Sequence, residues 1–143
     1  MSKLSTTFSD NDFCFACGGK NPLGLHLQFF RDGNMFCTRV TPKPHWQGFA
    51  GVVHGGLQST IIDDLMSNHL FRLEQAWVTT GELSLRFRKP VPIDQDLLFS
   101  SRIESHQGRV WNMLGECRLA DENNSALLTT AKGRFVDIPP PGE

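Results

Sequence analysis

The chain carries almost no net charge. Its 143 residues hold 14 Lys+Arg against 15 Asp+Glu, a formal balance of −1. That absence removes the electrostatic footprint of a nucleic-acid binder. Long apolar runs are missing too, and none approaches the roughly 20 residues that span a bilayer. The opening MSKLSTTFSDND lacks the apolar stretch of a secretory leader, so a cytoplasmic protein is expected. Cysteine is scarce, with 4 residues at Cys14, Cys17, Cys37 and Cys117. Without a leader, these read as reduced thiols or metal ligands rather than a disulfide frame. No internal repeat is visible. Apolar residues make up 39% and charged residues 20%, enough core for one small folded domain and too little charge for a disordered chain. Composition by itself points to no activity.

Patterning predicts an α+β domain. Residues 1–12 read as a flexible polar tail, 13–137 as a single domain and 138–143 as a Pro-rich tail. FCFACGGKNPLG, residues 13–24, is a compact loop carrying a CxxC. A period-2 run covers Leu25–Phe30, Asp32-Gly33-Asn34 turns the chain, and Met35–Thr41 is the next strand. PHWQGFAGVVHGG, residues 44–56, is a long Gly-rich loop of the kind that is often functional. Gly55 to about Glu74 is the one segment periodic enough for a substantial helix. Strands are expected at Val78–Lys89, Asp96–Ser105, Arg109–Leu119 and Ala126–Val136, with turns at His106-Gln107-Gly108 and Asp121–Asn124. The result is one antiparallel sheet of about six strands with a single helix against it.

On a helical wheel, Leu57, Ile61, Ile62 and Leu65 share the apolar side. Gly56, Ser59, Thr60, Asp63 and Ser67 fall on another side, and Asp64 lies at the border. A solvated Asp63 beside small residues is the plain reading of that stripe. The sharper one begins at His54-Gly55-Gly56, where free backbone N–H groups at a helix N-terminus can polarise a carbonyl oxygen. A carboxylate on the same stripe can then activate water against it. With one helix per chain, two copies packed antiparallel would be needed to bring Gly56 of one to Asp63 of the other.

G-V-V-H-G-G-L-Q-S-T-I-I-D-D resembles the helix-opening signature of the hotdog-fold acyl-CoA thioesterases, in their phenylacetate-pathway-like (PaaI-like) group. W-Q-G-F-A-G, V-T-T-G-E-L-S-L-R-F-R-K-P-V and C-F-A-C-G-G-K-N-P-L-G-L resemble further segments of that group, so the likeness runs from about residue 14 to 136. It implies a hydrolase that turns acyl-CoA and water into a free acid and CoA, without cofactor or metal. It further implies a homodimer or a dimer of dimers (a homotetramer). By the same resemblance, Asp63 matches the general base or nucleophile and the Gly55 N–H matches the oxyanion donor. Gly56 shapes that turn and His54 braces it. Gln47 falls near the Asn or Gln that sits by the nucleophilic water. Thr80 matches a water-positioning Ser or Thr, with Thr79 one residue away.

Other motifs weigh less. Cys14 and Cys17 form only one pair where a structural zinc site usually has two, so small buried thiols in a tight loop are expected rather than metal. No βαβ unit supports a thioredoxin-like role, and Gly18-Gly19 has no phosphate-loop context. Arg86, Arg88 and Lys89 read as a solvated strand face or as contacts for the phosphates of coenzyme A. Lys132 and Arg134 form a similar pair. Two rival readings accompany the thioesterase. One is a hotdog enoyl-CoA hydratase or dehydratase with a His base. The other is a non-catalytic acyl-CoA-binding module of the same fold.

Overall fold

The computed structural model describes residues 10–121 and 126–140. Six strands and one long helix follow in order: β1 (Phe29–Asp32), β2 (Met35–Val40), α1 (Gly55–Glu74), β3 (Val78–Phe87), β4 (Leu97–Gln107), β5 (Val110–Leu119) and β6 (Thr129–Asp137). All six strands form one sheet in the order β1-β2-β4-β5-β6-β3, and every pairing is antiparallel. The anticipated α+β arrangement is therefore present, with one helix against one sheet. Residues 122–124 of the expected polar turn lie outside the described residues.

Local signals account for most boundaries. Gly33 supplies the positive φ (+61°) of the β1–β2 hairpin, at the first central position where a two-residue turn uses glycine. Two expectations need correction. Leu25–Gln28 is not strand, because the backbone N–H groups of Leu25 and Leu27 bond Phe15 and Ala16 of the N-terminal loop instead of a sheet neighbour. The β4–β5 turn is Gly108-Arg109 rather than His106-Gln107-Gly108. Here Gly108 takes the positive φ (+58°), and His106 and Gln107 stay paired with Trp111 and Val110. The loop before the helix begins with a 3-10 turn, Pro44–Trp46, and an isolated bridge joins Gln47 to Val53.

The core lies between α1 and one face of the sheet. Ile61, Ile62, Leu65, Met66 and Leu70 of α1 are fully buried, and Phe99, Leu97, Met113, Cys117 and Phe135 meet them from the strands. Leu57, expected on the same face, is only half-buried. The helix approaches closely because two sheet positions carry no side chain. A methyl group on Gly133 would lie 2.6 Å from Met66 Sδ, and one on Gly115 would lie 2.9 Å from Met66 Cε. Burial also holds His69, at 3% exposure, with Ser101 Oγ 3.0 Å from its Nδ1, and drives its pKa down to about 4.

Candidate functional site

His54 is the N-cap of α1. Its Nδ1 accepts the Gly56 N–H at 2.9 Å, satisfying one of the four donors that a helix start leaves free. The ring lies so close to Gly56 that a methyl group there would sit 3.0 Å from Nδ1. The His-Gly-Gly order thus has a packing reason: the second glycine makes room for the capping ring. Gly55 lies against the Phe87 ring, with 3.2 Å available to a methyl group. Among the described residues its N–H finds no protein acceptor, so it stands open at the positive end of the helix. His54 in turn is fixed by its own N–H, which bonds Trp46 O at 2.8 Å.

This helix end opens on a cleft of about 700 Å³. Its walls are Phe49, His54, Gly55, Phe87, Arg88 and Val91, among others. Phe49 and Phe87 stay exposed within it, at 89% and 54%. Lys89 lines it too, whereas Arg86 lines a separate cleft of about 560 Å³ with Arg88, Arg102 and Lys132 on the sheet. The cation trio of residues 86–89 is therefore divided, and Arg88 borders both clefts. Gln58, one turn into α1, is a contributor that patterning missed. It is buried, accepts from Thr129 Oγ1 at 2.6 Å and ties the helix start to β6. Only the polar residue on an otherwise inward position could have signalled it.

Asp63 lies farther along α1, half-buried, and accepts a hydrogen bond from Thr80 Oγ1 at 2.7 Å. A bulge in β3 decides that it is Thr80 and not Thr79. Inward-facing Leu83 and Leu85, extended backwards by strict alternation, would put Thr79 inward. Register shifts between Thr80 and Glu82, so Gly81 is the extra residue and the face changes there. Gln47 behaves differently. Its amide donates to Pro44 O at 2.6 Å and accepts from the Gly51 N–H at 2.5 Å. Both ends of that side chain are spent inside its own loop, and no contact joins it to Asp63 or Thr80 among the described residues.

The structure thus brings Asp63 to Thr80, and His54 to Gly55 and Gly56, but keeps the two groups apart. Eight residues separate Gly55 from Asp63, about 12 Å of helix at 1.5 Å per residue. One residue further along the helix, Asp64 is mostly buried, with Cys14 and Cys17 Sγ at 3.5 and 3.6 Å from its Oδ1. Burial raises the Asp64 carboxyl, while the two thiols pull it back by donating to it. Burial pushes the Cys17 thiol up, and the neighbouring Asp64 charge adds to the effect.

A single six-stranded antiparallel sheet packed against one long helix is the hotdog class of fold. The chain belongs to the thioesterase superfamily, whose family model matches residues 50–126. It is similar to the acyl-coenzyme A thioesterase THEM4 of Bos taurus, with 27% identity over 128 residues, 88% of this chain and 52% of that protein. The Rattus norvegicus THEM4 matches at 28% over 96 residues, 67% of this chain and 40% of that one. The chain therefore spans about half the length, or less, of the curated relatives it matches. Among solved structures, a thioesterase superfamily protein superposes with a TM-score of 0.76 at 24% identity, covering 85% of this chain and 61% of the other. A phenylacetic acid degradation-related protein of Ralstonia eutropha gives 0.66 at 20%, covering 82% and 93%. A Staphylococcus aureus acyl-CoA hydrolase variant in complex with coenzyme A gives 0.70 at 18%, covering 77% and 68%. Among the described residues, no helix is long and apolar enough to cross a membrane.

Proposed function

We propose that this chain is an acyl-CoA thioesterase whose active site forms between two copies of it. The observation that carries this reading is the separation just described. The open Gly55 N–H and the Asp63–Thr80 pair are the two halves of a thioester-hydrolysing site, yet about 12 Å of helix lies between them. One chain cannot apply both to the same carbonyl. Two helices packed antiparallel along the Gly56–Asp63 stripe would bring each N-terminus to the partner's carboxylate. A further feature favours such a pairing: among the described residues β3 has no strand on its outer side, and it carries Thr80, which bonds Asp63. A homodimer is the minimal active unit, and a dimer of dimers would contain it.

In the reaction, the thioester carbonyl oxygen accepts the Gly55 N–H, and the helix end stabilises the negative charge that develops there. Asp63 takes a proton from water as that water attacks the carbonyl carbon, and passes the proton to the departing CoA sulfur. In the direct route Asp63 attacks the carbon, and a mixed anhydride forms as CoA thiolate leaves. Water then hydrolyses the anhydride, and its released proton goes to the thiolate. The carbon–sulfur bond breaks, CoA leaves as its thiol and the free acid remains. His54 and Gly56 hold the helix start in shape. Thr80 orients the Asp63 carboxylate. Gln47 fixes the loop that carries His54. The cleft beside Gly55, with Phe49 and Phe87 exposed in it, suits the acyl group or pantetheine arm. Arg88 and Lys89 at its rim suit the CoA phosphates. A cytoplasmic setting fits this substrate.

The test is Asp63→Ala against a panel of aryl- and fatty-acyl-CoAs, with folding checked by circular dichroism. Turnover should fall by several orders of magnitude, since the base or nucleophile is gone. Undiminished turnover in the folded variant would overturn the mechanism. Crotonyl-CoA hydration by the parent chain would favour the hydratase reading, and tight acyl-CoA binding without product would favour the binding module.

A further inference from the structure

We propose that Cys14, Cys17 and Asp64 form a binding site for a zinc-class divalent cation, completed by one exogenous ligand from the cleft beside them. The proposed hydrolysis uses none of these three groups, and the family-model match does not reach the two cysteines. Asp64 lies 50 and 47 residues from them in sequence, yet one ligand atom from each of the three falls within 4.8 Å of the others.

Distances decide what such a cluster can hold. A tetrahedral zinc with Zn–S near 2.3 Å and Zn–O near 2.0 Å places sulfur and oxygen about 3.5 Å apart. The two S···O separations here are 3.5 and 3.6 Å. Both S···O edges match such a polyhedron, and the two sulfurs lie within 4.8 Å of each other. A set with two thiolates selects zinc-class ions over magnesium or calcium, which require oxygen.

Groups around the three donors hold them in this orientation. The Cys17 N–H points at Cys14 Sγ at 3.5 Å. Asn68 Nδ2 lies 3.9 Å from Cys17 Sγ and is anchored on Asp64 O at 2.8 Å, while Arg72 Nε bonds Asn68 Oδ1 at 3.0 Å. Outer contacts of this kind aim metal ligands. The loop itself closes through the Gly18 N–H on Cys14 O at 2.9 Å, in a shape only glycine allows. A methyl group there would meet Asp12 O and Cys14 N at 2.4 Å. Asp64 Oδ2 is buried with no hydrogen-bond partner among the described residues. A buried acceptor left this way is costly, and a cation drawing charge from the same carboxylate offsets that cost. Beside the cluster lies a cleft of about 150 Å³ walled by Phe71, Ala76, Trp77 and Val78. It has room for the fourth ligand that a three-residue zinc site leaves open. The cation would clamp the N-terminal loop onto α1 one residue from Asp63.

The experiment uses the full chain, reduced, stripped with a chelator and titrated with cobalt(II), then with zinc(II). The expected result is stoichiometric uptake with thiolate-to-cobalt charge-transfer absorption and the visible bands of a tetrahedral ion. Zinc should abolish both signals and raise Tm. Cys14→Ser, Cys17→Ser and Asp64→Asn should each lower cobalt affinity at least tenfold. Cys37→Ser, away from the cluster, should leave the spectrum unchanged. A folded, reduced chain that takes up no cobalt overturns the proposal. So does a cobalt spectrum that survives in Asp64→Asn or vanishes equally in Cys37→Ser. Oxidation of Cys14 and Cys17 to a disulfide, seen by mass, in a chain that takes up no cobalt when reduced also overturns it. These readouts do not involve turnover, so they stand apart from the thioesterase reading.

Discussion

Replacing Thr80 by valine keeps the shape of the side chain and deletes the hydroxyl that donates to Asp63 at 2.7 Å. A hydrogen bond to a charged group contributes about 1.5–3 kcal/mol net. Thr80 is exposed in the single chain, so the lower end applies. About 1.4 kcal/mol is a tenfold change in rate. On the proposed mechanism Thr80→Val should therefore reduce kcat/KM roughly tenfold, mostly through kcat, because the lost contact orients the proposed base rather than the bound substrate. Thr80→Ser keeps the hydroxyl and should restore most of the rate. Thr79→Val is the informative control, since strict alternation along β3 would put Thr79 inward and only the Gly81 bulge makes it Thr80. That control should stay within about twofold of the parent, given that isolated surface changes shift energies by about 0.5 kcal/mol or less. The assay is steady-state release of CoA thiol from the best acyl-CoA of a panel, with circular dichroism on each variant. A larger loss in Thr79→Val than in Thr80→Val would refute the register argument. An unchanged Thr80→Val would refute the positioning role.

Further outcomes follow from the same structure. Gly133→Ala drives a methyl group into Met66 Sδ, and overpacking of about 1–3 kcal/mol should lower Tm by several degrees in a scanning melt. Pairing it with Met66→Ala should give less than the sum of the two single effects, and strict additivity would count against a shared seat. His69 favours its neutral form when folded, with a pKa near 4 against an ordinary 6.5, so its contribution is complete above about pH 6.5 and fades toward pH 4. That loss is about 3 kcal/mol in urea unfolding followed across this window, and His69→Asn should flatten it. Arg88→Ala and Lys89→Ala should each raise KM for acyl-CoA about threefold to tenfold with kcat little changed, and added salt should shrink the difference.

Periodicity makes the main elements legible in the sequence itself. The apolar stripe and the absence of proline delimited α1 at Gly55–Glu74, the same residues that the structure shows. Gly33 marked its hairpin correctly because a two-residue turn demands positive φ there. The errors arose where local pattern was overridden. Leu25–Gln28 alternates like a strand, but its backbone partners come from the N-terminal loop. Thr80, named from the resemblance, does bond Asp63, although strict alternation would have chosen Thr79, and what Gln47 bonds depends on which way a single amide turns within its loop. Asp64 was least legible. Its value lies in cysteines some fifty residues earlier, and no periodicity along α1 encodes that meeting.

Met66 has a consequence for motion. Its thioether is fully buried and rests on the bare backbone of Gly115 and Gly133, so an oxidant has no path to it while α1 is seated. A sulfoxide oxygen would also find no space there. The rate of Met66 oxidation should therefore report how often the core around it opens. It acts as a built-in clock for the opening of the core, readable by mass spectrometry without any label.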